Sequence, residues 1–156
     1  MTSAEPTGPS RPADPADAAL FDAIATEHGI IYGYGLVSAH STPDLNDLVS
    51  STLVAHRKRR EAAIAMLDER SAVAPLPAAG YRLPNPVENP TDAAHLAVQM
   101  EKDAAVAWRA VLEQATSEPQ RQFAVTALTE SAVAAARWNQ VLEVWPVTVA
   151  FPGGSE

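Results

Sequence analysis

The chain of 156 residues contains no cysteine, which excludes disulfides, Cys-ligated zinc and iron–sulfur clusters. Aromatic residues are scarce: three Trp, three Tyr and three Phe. Lys and Arg number 11 against 19 Asp and Glu, a net charge of −8. That balance argues against nucleic acid or an anionic membrane as the main partner. No apolar run approaches the roughly 18 residues of a membrane span. The opening "MTSAEPTGPSRPADPAD" has neither an apolar core nor a cluster of positive charge, so it does not read as a secretory signal. The expectation is one soluble domain in the cytoplasm. What the chain has instead is alanine, 31 residues of it, and alanine favours helix because it loses no side-chain entropy there.

The 13 prolines punctuate this helical material. Proline is accepted in the first turn of a helix and breaks its interior. "DPAD", "TPD", "NPTD" and "SEPQ" each place a polar residue before a proline at the head of a long Pro-free segment. Asp14, Thr42, Asn89 and Ser117 are therefore candidate N-caps, with Asp17, Asp44, Asp92 and Glu118 at the positive ends of the helix dipoles. Four helices follow, at about 15–40, 43–72, 90–116 and 119–145, each about 40 Å long. Residues 1–13 read as a disordered tail and 146–156 as an extended one, in which Val147, Val149 and Phe151 alternate.

Helices 1 and 2 are joined by a short link, as are helices 3 and 4, which makes two antiparallel hairpins. Between the hairpins lies "VAPLPAAGYRLPNPVEN", 73–89, with four prolines. Extended at about 3.1 Å per residue, it spans ~50 Å and can run from one end of a bundle to the other. Helices 2 and 3 are then parallel. The expected fold is all-α: a ferritin-like four-helix bundle with a long Pro-rich crossover.

Apolar stripes at helical spacing are each interrupted by ionisable residues. Glu27, His56, Arg60, Glu101 and Glu130 all fall near a helix midpoint, and the middle of each helix is the middle of the bundle. Such groups are hardly ever buried unless paired or bound to metal. Three readings are open: a carboxylate–histidine metal site, a buried cluster in which Arg60 offsets the carboxylates, or seams out of phase by one residue, helix 4 above all, which would leave those groups solvated. His28 follows Glu27 by about 100° of rotation and suits a hairpin or subunit contact; His40 and His95 sit near helix ends. "RKRR", 57–60, spreads around its helix and reads as a solvated face with one inward arginine. Gly29 and Gly33 share a face that admits a close neighbour, with Tyr32, Tyr34 and Tyr81 as candidates.

The segments "TEHGIIYGYG", "HRKRRE", "GYRLPNPVENP", "MEKDAAVAWR" and "AFPG" resemble the ferritin-like superfamily. They look most like an alanine-rich actinobacterial family of unknown function, known from mycobacterial conserved hypothetical proteins. The resemblance implies the bundle and a metal motif of Glu on helices 1 and 3 with Glu-x-x-His on helices 2 and 4. Glu27, Glu101 and Glu130 match its glutamates. Val133 stands where the helix 4 histidine would be, and Leu53 stands three residues before His56. With both Glu-x-x-His pairs broken, the expectation is a metal-free binding or interaction module with no catalytic residues, no cofactor, an unassigned small-molecule ligand and a homodimeric state. The alternative is an iron- or manganese-dependent oxidase or ferroxidase-like enzyme with Glu27, His56, Glu101 and Glu130 as ligands.

Overall fold

A computed structural model describes residues 8–154. It contains four long helices: α1, Pro15–His40; α2, Asn46–Glu69; α3, Pro90–Gln114; and α4, Glu118–Val141. Residues 1–7, part of the expected N-terminal tail, lie outside the described residues, but Arg11 in its second half pairs with Asp22 of α1 at 2.7 Å.

Three of the four helix starts follow the proline logic. The Asp14 carboxylate accepts from the N–H groups of Ala16 and Asp17, Asn89 caps Asp92, and Ser117 caps Gln120. Thr42 makes no side-chain cap: Pro43 begins a 3-10 turn, Pro43–Leu45, and α2 starts after it, at Asn46 rather than 43. Three helices also stop short of the expected 72, 116 and 145; α3 ends at Gln114, where Ala115 turns extended. At the end of α2, Ser71 takes a left-handed φ of 59° and the Ala72 N–H returns to the Leu67 carbonyl. At the end of α4, Glu143 takes φ 55° while Val144 donates to the Asn139 carbonyl. Both ends use the left-handed closure that normally favours glycine.

Cross-helix bonds fix the directions. Glu27 of α1 meets Trp108 of α3, whereas Tyr34, seven residues on, meets Glu101, seven residues back. Asp17 of α1 pairs with Arg70, just past the end of α2, and Glu27, further along α1, with Arg59, further back in α2. Thus α1 is antiparallel to both α2 and α3, and α2 and α3 are parallel. The segment after α2 spans the bundle along α1. The His28 Nε2–H donates to the Pro75 carbonyl at 3.0 Å, and the Tyr81 ring lies against Gly29 and 5.3 Å, centroid to centroid, from Tyr32. His28, expected at a hairpin or subunit contact, is covered by this crossover of its own chain.

All four helices contribute to the packed interior, with Leu20, Ile24, Val37, Leu67, Trp108, Val111 and Trp138 closed to solvent. No described helix is long and apolar enough to cross a membrane.

Candidate functional site

Halfway along the bundle this apolar interior is interrupted by charge. Glu27 and Glu101 are 0% exposed and His56 is 1% exposed, and the three form one chain of hydrogen bonds. His56 Nδ1 lies 2.6 Å from Glu27 Oε2, and Nε2 lies 2.9 Å from Glu101 Oε1. Each ring nitrogen faces a carboxylate oxygen, so each donates, and the ring is an imidazolium. Burial pushes its pKa down, but the bonds to Glu101 and Glu27 and their charges outweigh it and lift the pKa to about 9. Burial also works to raise the Glu27 pKa. The His56 bond, the His56 and Arg59 charges and the Trp108 N–H overcome it and hold Glu27 below the usual carboxylate value.

The second cation is Arg59. Its Nη1 donates to Glu27 Oε1 and to Ser131 Oγ, both at 3.2 Å, and its Nη2 donates to Glu130 Oε2 at 2.9 Å. Nη1 also stands 3.2 Å from His56 Nδ1; with both nitrogens protonated this is a contact between donors rather than a bond. Arg60, the expected inward arginine, pairs instead with Glu61 at the surface, at 2.6 Å. The error is one residue, about 100° of helix, and it recurs on α4. There the side chain of Glu130 is 56% exposed and reaches the centre only through Arg59, while Ser131 is fully buried.

Three further groups complete the centre. Trp108 Nε1 donates to Glu27 Oε1 at 2.7 Å. The Tyr34 hydroxyl donates to Glu101 Oε1 at 2.5 Å and accepts from Trp138 Nε1 at 3.0 Å. Burial, then the charge and bond of Glu101, push the Tyr34 pKa well above its ordinary value, which keeps the phenol a donor. The sequence reading did not assign these partners, although a tryptophan on an apolar seam carries an N–H that needs a buried acceptor. Two carboxylates, an imidazolium and a guanidinium give the core zero net charge, with Glu130 at its rim.

The iron or manganese ligands implied by the superfamily resemblance are Glu27, His56, Glu101 and Glu130. As arranged, they do not fit a metal. Both His56 nitrogens are spent on carboxylates, Glu27 Oε1 accepts from Trp108 and Arg59, and Glu130 turns to Arg59. No group of three or more potential metal ligands converges among the described residues. One acceptor stands apart: Glu101 Oε2 is buried and has no hydrogen-bond partner.

Residues 19–156 match the model of a family described as a domain of unknown function, DUF4439. The crystal structure of a conserved hypothetical protein, rv2844, from Mycobacterium tuberculosis is similar with a TM-score of 0.81. It is 55% identical in sequence, and the similarity covers 83% of this chain and 98% of that one. No curated protein matches the chain.

Proposed function

The chain belongs to the DUF4439 family, and on that footing we propose that it is a ferritin-like, metal-free binding or interaction module of the cytoplasm. The observation that carries this reading is His56, whose two nitrogens both donate to buried carboxylates. An imidazolium has no lone pair for a metal, and Arg59 supplies the second positive charge that a cation would otherwise bring. The centre thus works as an internal ion-pair lock that fixes the register of four helices. Ligand recognition falls to the surrounding grooves. The rival reading, an iron- or manganese-dependent oxidase, requires His56 to lose one ring proton, freeing a nitrogen lone pair for the metal, and Glu130 to leave Arg59.

Metal analysis of protein purified without chelator is expected to find far less than one ion per chain. Added iron(II) or manganese(II) is expected to leave the melting temperature unmoved. About one ion per chain, with a rise in melting temperature on reconstitution, would establish the oxidase-type site instead. Homodimerisation belongs to the same proposal, but its contact is not the Gly29 and Gly33 face. Tyr81 and Met100 of the same chain cover that face. The C-terminal segment is the available patch, with Trp145 and Phe151 more than two-thirds exposed.

A further inference from the structure

Between α3 and α4 lies a groove of about 760 Å³, a volume typical of small-molecule sites. Ala132, Ala135 and Ala136 leave space along α4, and Leu128 adds apolar wall. The C-terminal segment runs over this space. Asn139 Nδ2 donates to the Val147 carbonyl at 2.9 Å and holds the start of the segment on α4. At Gly153, φ is 74°, and a Cβ would stand 2.5 Å from the Ala105 carbonyl oxygen. Only glycine lets the backbone rest on α3 at that point. The rim is apolar as well, yet open to water: Val106, Val133, Val149 and Phe151 line the groove and are 54%, 46%, 45% and 71% exposed. Single exposed apolar side chains mean little, but four around one opening mark a surface that binds something.

Charge selects the occupant. Glu101 is the only acid in the lining, and it is closed to solvent and engaged by His56 and Tyr34, so it offers the groove no accessible charge. The lining's two cations, Lys102 of α3 and Arg137 of α4, are both exposed, and neither forms an ion pair among the described residues. On a chain of net charge −8, this apolar groove presents positive charge alone. An ammonium guest is repelled, and an alcohol leaves both cations unanswered. An acyl chain ending in a carboxylate suits both features. Its hydrocarbon covers the apolar walls, and its head meets a guanidinium fork and an ammonium on stems long enough to reach it.

We propose that the groove between α3 and α4 binds a single-chain fatty acid as its carboxylate, the acyl chain under the C-terminal segment and the head held by Lys102 and Arg137. The inference rests on the binding-module reading, to which it adds the class of the ligand.

The test is calorimetric titration of the full-length protein with decanoate near neutral pH, with 1-decanol and decylammonium run in parallel. Decanoate is expected to bind saturably, one per chain, and the two analogues at least about tenfold more weakly. The double variant Lys102→Gln/Arg137→Gln changes only exposed side chains. It should weaken decanoate by about tenfold or more and leave decanol unchanged. Ala136→Phe fills the groove from its α4 wall and should weaken decanoate in the same way. Unsaturable decanoate, an analogue that binds as tightly, or undiminished binding in either variant would each overturn the inference. So would a dimer that ignores decanoate and that Ala136→Phe splits into monomers, since the groove would then be a contact between two copies. Metal analysis of the same sample separates the two failures. Metal-free protein that ignores decanoate refutes the fatty-acid site alone, whereas stoichiometric metal refutes the reading beneath it.

Discussion

His56 is the residue on whose charge the centre depends, because its ring bridges Glu27 and Glu101 directly. Its pKa rises from 6.5 to about 9 on folding, so protonation favours the folded state. That contribution is fully present below the unfolded value and is lost as pH climbs through the folded one. The shift corresponds to something on the order of 3 kcal/mol. Glu27, whose pKa is lowered from 4.5, behaves oppositely: its contribution is present above the unfolded value and lost as pH falls through the folded one. Urea unfolding should therefore give maximal stability at roughly pH 5 to 6.5 and a steady loss toward roughly pH 9. His56→Gln should be less stable at the optimum and should lack most of the alkaline slope. Parallel slopes in the two proteins would assign it to other groups. Glu27, His56 and Glu101 were legible in the sequence because each interrupts an otherwise apolar stripe. Arg59 was not, because "RKRR" offers basic residues at every angle. Moreover, the true inward line of α2 runs through Thr52 and Ala63, which look no more buried than their larger neighbours Leu53 and Ile64.

Among the elements, α1 carries three glycines whose surroundings differ, and the differences predict three different substitutions. A Cβ at Gly29 would sit 3.5 Å from the Tyr81 ring, an ordinary contact. At Gly33 it would collide with Met100 Sδ and stand 3.2 Å from Met100 Cε, and Met100 is itself buried. At Gly35 it would meet nothing within 4 Å. Gly35→Ala should therefore gain about 1 kcal/mol of helix propensity, a rise of a few degrees in melting temperature. Gly29→Ala should gain somewhat less, and Gly33→Ala should lose stability as Met100 is displaced. A loss in Gly35→Ala would mean that this face is covered in solution, as by a second subunit. Helix beginnings were readable at this scale because a polar cap followed by proline has a physical signature. The ends of α2 and α4 had none: Ser71 and Glu143 close them with left-handed backbone where a glycine would have announced the stop.

In the whole molecule the four helices are unequally held. The α3 helix packs broadly on both α1 and α4, whereas α2 packs broadly on α1 alone. It reaches the far side chiefly through ions, His56 to Glu101 of α3 and Arg59 to Glu130 and Ser131 of α4. A groove separates α2 from α4, lined by Ala55 and Ala62 on one wall and by Phe123 and Ala127 on the other. Local stability follows buried contact, and α2 should be the first helix to open. Native-state hydrogen exchange is expected to show lower protection in the middle of α2, around Ala55–Ala63, than in the matching turns of α1 and α3. Arg59→Met removes the bonds to α4 while keeping a long apolar stem beside Ala127. It also leaves Glu27 with His56 and Trp108 as its remaining donors. Exchange in α2 should then accelerate by a larger factor than exchange in α1, α3 or α4. A uniform acceleration of all four helices would mean that the bundle opens only as one unit and that Arg59 contributes to global stability rather than to fastening α2.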